Sequence, residues 1–266
     1  METMNCGLCG STENVMFLST ECHQLVRCKA CGIIYTDSFG KSQSYAEEDY
    51  FTMKNQYVNR WEEFCAIFDS LLDKIVRFKR KGRLLDVGTG VGTLMSVAAK
   101  RGFTAQGVEV SEWASAFARK EKGLDVLTGT LEDARFGTES FDVVVINHTL
   151  EHVANPRTLL TEVRRILKND GLLVIGVPNI GSIMARLRGG KWASLRPEEH
   201  IWHFTPVTLK RLVAETGFAK LYFEARENYP MTGWRPKALI IRIINGASVL
   251  IGRSEAMLLF ATKKSI

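Results

Sequence analysis

The chain has 266 residues, and its 35 Lys and Arg against 29 Asp and Glu leave a net charge of +6. Hydrophobic residues make up 45% and charged residues 24%, which excludes a disordered chain and collagen-like or coiled-coil fibres. No run approaches the ~18 apolar residues of a transmembrane helix, and METMNCGLCG lacks the basic and apolar regions of a secretory signal. A cytoplasmic protein is expected, in which clustered cysteines serve metal or redox chemistry rather than structural disulfides.

Five of the six cysteines lie in the first 31 residues. Cys6-Gly-Leu-Cys9-Gly10 is matched by Cys28-Lys-Ala-Cys31-Gly32. Two such pairs suit one tetrahedral Zn²⁺ whose four thiolates leave no open catalytic position; a redox dithiol is the alternative. So small a segment buries little core, so the metal would supply its folding energy. Cys22-His23 is a spare pair, one member of which could replace a ligand. A module over 1–42 is expected, followed by a catalytic domain over 43–266.

Apolar residues at helical spacing predict a long helix within 45–80, with Cys65 as a small core residue on its apolar face. The basic run Arg77–Arg83 is a solvated helix end, with a nucleic-acid patch as the alternative. Beyond it, short β-type runs (Arg83–Val87, Thr104–Glu109, Asp125–Thr128, Phe141–Ile146, Leu172–Val177) alternate with amphipathic stretches, the pattern of βαβ units and a doubly wound parallel sheet. A helix over Val207–Glu215, a strand over Leu221–Ala225, a basic helix over Lys237–Leu250 and a last strand over Ala256–Thr262 complete the chain.

Leu84-Leu85-Asp86-Val87-Gly88-Thr89-Gly90-Val91-Gly92 reads as a strand entering a glycine turn, and Glu109 ends the next strand, where a carboxylate can hold ribose hydroxyls. Thr93 stands where a dinucleotide fingerprint has its last Gly, and Asp86 would repel a pyrophosphate while suiting an ammonium and a sulfonium. S-adenosylmethionine therefore fits better than NAD.

Here the sequence resembles the class I S-adenosylmethionine-dependent methyltransferases, over about 45–263. The motifs carrying the likeness are Leu84–Gly92, Gly107–Ser111, Gly129–Asp133, Phe141–His148, Leu150–Pro156 and Leu167–Asn179. The Cys28–Tyr35 ribbon and His200–Pro206 place it near the bacterial ubiquinone-biosynthesis methyltransferases and their relatives acting on sugars and natural products. The resemblance implies a Rossmann-like, mostly parallel seven-stranded sheet. It assigns Asp86, Gly88, Thr89, Gly90 and Gly92 to the methionine part of the cofactor and Glu109 and Val110 to the ribose side. It puts Thr130, Leu131 and Glu132 beside the adenine and Asn147 near the sulfur. Many relatives have Asp where Thr130 stands, so an acidic contact to the adenine amino group would be weakened or fall to Glu132 or Asp133.

A hydroxyl acceptor would need a base, and histidine suits the task. His200 and His203, with Trp202 and Phe204 interleaved, are the leading candidates, and His148 at the end of the fourth sheet strand is next. His152 reads as a capping or packing residue. Stretches 185–206 and 228–254 are candidate acceptor lids. Arg186–Trp192 could greet an anionic group, and the Lys237–Leu250 helix could rest on a membrane beside a lipid-linked acceptor. The expected function is methylation of a small-molecule hydroxyl. An RNA methyltransferase is the alternative, disfavoured because Asn147-His148-Thr149-Leu150 lacks an Asn/Asp-Pro-Pro-aromatic motif; a non-catalytic relative is disfavoured by the intact Asp86, Gly88, Gly90 and Glu109.

Overall fold

The computed structural model describes residues 5–37, 57–226 and 253–264. The first of these segments is held by turns. β1 (Asn14–Ser19) pairs antiparallel with β2 (Gln24–Cys28), and β2 with β3 (Ile34–Thr36). Gly10 and Gly32, each just after the second cysteine of a pair, adopt φ of 75° and 79°, a region that other residues enter only under strain. Their amides return to the carbonyls of Cys6 and Cys28, at 2.8 and 2.9 Å. Equivalent turns thus present both cysteine pairs.

α1 (Trp61–Ile75) buries Phe64, Leu71, Leu72 and Ile75 on one face, and Cys65 packs against the same cluster, as expected. The rest alternates: β4 (Gly82–Val87), α2 (Thr93–Lys100), β5 (Phe103–Glu109), α3 (Glu112–Lys122), β6 (Asp125–Thr128), β7 (Phe141–Asn147), α4 (Pro156–Ile166), β8 (Leu167–Pro178), α5 (Ile183–Arg188), β9 (Trp202–His203), α6 (Pro206–Glu215), β10 (Phe218–Arg226) and β11 (Ala256–Lys263). The helix starts follow local chemistry. Ser111, Asn155, Ser182 and Thr205 each cap a helix through the side-chain oxygen, and Pro156 and Pro206 occupy first turns where a missing N–H does no harm.

Seven strands form one sheet in the order β10-β11-β8-β7-β4-β5-β6, parallel except that β11 runs antiparallel to β8 and to β10. This is the mostly parallel, doubly wound sheet expected. Val143–Ile146 and Leu172–Ile175 are buried throughout, as strands covered on both faces require. β8 starts earlier than the apolar run suggests, at Leu167, through a register shift opposite Phe141 and Val143. After β6 the chain returns to lay β7 on the other side of β4, opening a crevice at the carboxyl ends of those two strands. The expected Lys237–Leu250 helix and the 42/43 boundary lie outside the described residues. No helix among the described residues is long and apolar enough to cross a membrane.

The cysteine-bearing sheet is not an appendage. β3 pairs antiparallel with β9, Ile34 opposite His203 and Tyr35 opposite Trp202. The Tyr35 and Trp202 rings lie 5.8 Å apart, and a Cβ on Gly7 would come within 2.9 Å of the Trp202 ring. Cys6, Cys28, Ile33 and Tyr35 share one hydrophobic core with Val144 and Ile146 of β7 and with Leu173, Ile175 and Val177 of β8.

Trp202 is therefore the main apolar link across this seam. Trp202→Ala should destabilise the chain by about 3–5 kcal/mol in urea unfolding, whereas Leu187→Ala, at a 66% exposed position, should change stability by less than ~0.5 kcal/mol. Equal effects would contradict the docked arrangement.

Candidate active site

β4 ends where the glycine turn begins. Gly88, Gly90 and Gly92 have φ of 73°, 56° and 84°, and the amides of Gly88 and Thr89 donate to the Val108 carbonyl at 2.9 and 3.1 Å. Glu109, almost fully buried, closes the other side. Its Oε2 accepts from the Gly90 amide and its Oε1 from the Ser111 amide, each at 2.8 Å. A carboxylate at the end of this strand is of the kind that accepts from ribose hydroxyls. A Cβ on Gly90 would meet nothing within 4 Å, so a ligand can approach the backbone there.

Asp86 lies beneath the turn and accepts a 2.7 Å hydrogen bond from the Thr89 hydroxyl. Burial pushes its carboxyl up to about 7, against the Thr89 bond and with help from the nearby Glu109 charge. A cationic ligand would favour the ionised form, so this carboxylate suits the ammonium and sulfonium of S-adenosylmethionine.

The adenine side is less uniform. Val110 is exposed next to Glu109, but Leu131 is buried in the core, leaving its backbone as the part able to meet a ligand. The Thr130 amide and hydroxyl donate to Asp133 Oδ2 at 3.0 and 2.7 Å, holding that carboxyl below its ordinary value. Asp133 thus closes its own turn, and of the two exposed acids Glu132 is the one not committed to that turn.

The turn after β7 carries the nearest histidine. The Thr149 hydroxyl donates to the Val87 carbonyl at 2.9 Å, and a Cβ on Gly88 would lie 2.3 Å from Thr149 Oγ1. The glycine turn and the His148 turn are therefore in direct contact. His148 has φ 55°, rare for a residue with a Cβ, and its amide donates to the Gly176 carbonyl at 2.8 Å. Asn147 Oδ1 accepts from Arg226 at 3.2 Å.

Behind His148 lies Glu151, 1% exposed. His148 Nδ1 is 3.3 Å from Glu151 Oε1, near enough for charge attraction but not aligned as a hydrogen bond. Burial opposes ionisation, yet the adjacent imidazoles in their protonated forms, His148 first, bring the Glu151 carboxyl down to about 2. The Glu151 carbonyl accepts from the amides of Ile201 and Trp202 at 2.9 and 3.1 Å. His152 Nδ1 meets the Glu199 carbonyl at 3.1 Å, and its ring is edge-on to His200 at 4.7 Å. Ligand-type atoms of Glu151, His152 and His200 lie within 4.8 Å of one another.

His200 and His203, the leading base candidates by sequence, have another setting. Both are buried. The Thr36 hydroxyl donates to the His200 carbonyl at 2.9 Å and so accepts from His203 Nε2 at 3.1 Å. Burial drives His203 down to about 4, with Glu151 opposing, and drives His200 well below its ordinary value. His203 is built into the seam between β3 and β9. Thr36, Glu151 and Arg226 escaped the sequence reading; only Glu151 left a trace, inside the Leu150–Pro156 motif.

The four cysteines come together as expected. Cys6 and Cys31 Sγ are 3.7 Å apart, Cys9 and Cys28 Sγ 3.5 Å, and all four lie within 4.8 Å. A tetrahedron with Zn–S bonds of about 2.3 Å has edges of about 3.8 Å, whereas a disulfide needs about 2.05 Å. The set fits zinc. Cys22 is exposed and does not belong to it, nor does His23.

A histidine buried in neutral form makes stability depend on pH. The unfolded chain binds the His203 proton below about 6.5 and the folded chain only below about 4, so stability rises with pH between those values, by roughly 3 kcal/mol from this group. His203→Gln, which keeps a donor to Thr36, should remove that part of the slope in urea unfolding measured from pH 4.5 to 6.5. Asp86 acts in the opposite sense in both proteins and cancels from the difference. An unchanged slope would contradict the assignment.

A methyltransferase-domain family model matches residues 58–222. The chain is 32% identical over 143 residues to an uncharacterized protein of Methanocaldococcus jannaschii, covering 54% of this chain and 63% of that one. It is 33% identical over 167 residues to a ubiquinone biosynthesis O-methyltransferase of Cereibacter sphaeroides, covering 59% and 67%. Among solved structures, an S-adenosylmethionine-dependent methyltransferase from Archaeoglobus fulgidus superposes with a TM-score of 0.60 at 22% identity, covering 80% of this chain and 99% of that one. One from Thermotoga maritima gives 0.56 at 24%, covering 80% and 100%. With the doubly wound sheet and the glycine turn between Asp86 and Glu109, the family match makes the chain a member of the methyltransferase-domain family, with the fold of the solved S-adenosylmethionine-dependent methyltransferases.

Proposed function

We propose that this enzyme methylates a hydroxyl of a small-molecule acceptor, a sugar or other secondary metabolite, with His148 as the general base. One observation carries the choice of base: the His148 turn touches the glycine turn through Thr149 and Gly88, while His203 is bonded to Thr36 in the seam. The likeness to ubiquinone biosynthesis O-methyltransferases supports a hydroxyl acceptor.

In this reading Asp86 and the turn Gly88–Gly92 hold the methionine part, and Glu109 the ribose hydroxyls. Val110, Thr130, Leu131 and Glu132 flank the adenine, and Asn147 borders the reacting end. S-adenosylmethionine supplies a methyl group already activated by its sulfonium, so the protein's work is alignment and exclusion of water. His148 takes the hydroxyl proton as the new O–C bond forms and the S–C bond breaks. His148→Ala should lower turnover ~10²–10⁴-fold while leaving S-adenosylmethionine affinity by calorimetry within about threefold. The measurement is methyl transfer from labelled S-adenosylmethionine to a panel of catechol and sugar acceptors. Full activity in the variant would refute the base.

Cys6, Cys9, Cys28 and Cys31 are proposed to hold one structural Zn²⁺, with all four positions filled by thiolate. Elemental analysis should find one zinc per chain, lost in Cys9→Ser together with several degrees of thermal stability. A fully folded chain purified without that metal would contradict the proposal. The cytoplasm is the proposed compartment, because it keeps these thiols reduced.

A further inference from the structure

We infer that Glu151, His152 and His200 form a second metal site, which takes one divalent ion of the borderline kind, such as Co²⁺, Fe²⁺ or Zn²⁺, and keeps positions open for an acceptor oxygen. Their ligand-type atoms lie within 4.8 Å of one another. Donors on one ion at about 2.1 Å stand about 3.4 Å apart in a tetrahedron, so the three groups have only to draw inward around it.

The carboxylate is the strongest reason to place a cation here. Glu151 is 1% exposed, and neither of its oxygens receives a hydrogen bond from the described residues. His148 Nδ1 stands 3.3 Å from Oε1 without hydrogen-bond alignment, so it does not fill that need. A buried carboxylate is costly unless it is paired and hydrogen-bonded or holds a metal. An unsatisfied one in a folded protein calls for an explanation such as a bound ion.

The histidines are set up to share that ion. The Glu199 carbonyl lies 3.1 Å from His152 Nδ1. A carbonyl can only accept, so Nδ1 carries the proton and Nε2 of the neutral ring carries the lone pair. A ring oriented in this way by a backbone carbonyl is the usual setting of a metal-bound histidine. His200 is tied down through its backbone instead: its amide donates to the Arg196 carbonyl at 2.6 Å, and its carbonyl accepts from the Thr36 hydroxyl at 2.9 Å. Its ring stands edge-on to His152, centroids 4.7 Å apart. The next two amides, of Ile201 and Trp202, bind the Glu151 carbonyl, so the β3–β9 seam brings His200 to a pair that lies on the turn after β7.

Two imidazoles and one carboxylate suit iron, cobalt or zinc better than magnesium, whose ligands are oxygens. Three protein ligands leave coordination positions open, in contrast to the four thiolates of the cysteine set. The site adjoins the cofactor crevice: Thr149, two residues before Glu151, presses on Gly88, and the charges of Glu109 and Glu151 both bear on the Tyr57 hydroxyl. The acceptor role of the ion rests on the hydroxyl reading given above, whereas its binding does not. A hydroxyl on the ion gives up its proton to the base more readily. Its oxygen then takes the methyl group as the S–C bond breaks and leaves its electron pair on sulfur. Acceptors with two adjacent hydroxyls, which can grip an ion through both oxygens, are the class this site favours.

Co²⁺ alone is the probe. Full-length protein holding zinc in its cysteine set, freed of looser metal by dialysis, should take up one further equivalent of Co²⁺ in calorimetry. Cobalt-edge X-ray absorption should show imidazole nitrogen and oxygen around it, with no sulfur. Glu151→Gln, His152→Ala and His200→Ala should each weaken uptake at least ~100-fold. In the parent protein, no further equivalent up to millimolar Co²⁺, or a sulfur shell around it, would overturn the site even if every variant failed to fold. Uptake unchanged in the three folded variants would overturn it too. Methyl transfer to a catechol should rise at least ~10-fold on adding Co²⁺. A bound ion that leaves turnover unchanged would overturn the acceptor role alone. An ion bound as expected, with no methyl transfer to any hydroxyl, would instead sink the hydroxyl reading and leave the site standing.

Discussion

Two residue pairs, Ile34 with His203 and Tyr35 with Trp202, join the cysteine-bearing sheet to the catalytic body. Much of the site depends on that short ladder. It fixes Ile201 and Trp202, whose amides clamp the Glu151 carbonyl; Glu151 lies against His148, and Thr149 next along the chain presses on Gly88. A chain of backbone bonds and close contacts thus runs from the cysteine turns to the glycine turn. The aromatic pair and the shared core make it more than a pair of backbone bonds.

The electrostatics divide the site into two halves with different tasks. Around the glycine turn, Asp86 and Glu109 are acids buried where a cation with ribose hydroxyls would be received. Around the His148 turn, one acid is surrounded by imidazoles that burial holds neutral. The same low dielectric that makes a lone charge costly makes each well-placed one effective. The two halves meet at the switch crevice between β4 and β7, where open α/β sheets bind their ligands.

Much of this was legible in the sequence, for identifiable reasons. The central strands announce themselves because burial on both faces leaves unbroken apolar runs such as Val143–Ile146. The glycine turn, Glu109 and the cysteine pairs are local spacings, and local spacing survives in one dimension. β9 does not: two residues, Trp202 and His203, are too few to carry a period, and their partner strand lies at the other end of the chain. For that reason His203 reads as a candidate base from its aromatic neighbours but is structurally a bonded partner of Thr36. Burial of Glu151 and the contact of Arg226 with Asn147 arise the same way, from residues far apart in sequence.

If the cysteine turns hold the Ile201–Trp202 segment against Glu151, amide hydrogen exchange reads it directly. In the zinc-loaded protein the Ile201 and Trp202 amides, both bonded to the Glu151 carbonyl, should be strongly protected. Stripping zinc with a chelator should abolish that protection, while the Val144 and Val145 amides in the centre of β7 keep theirs. Protection of Ile201 and Trp202 that survives complete removal of zinc would contradict the account.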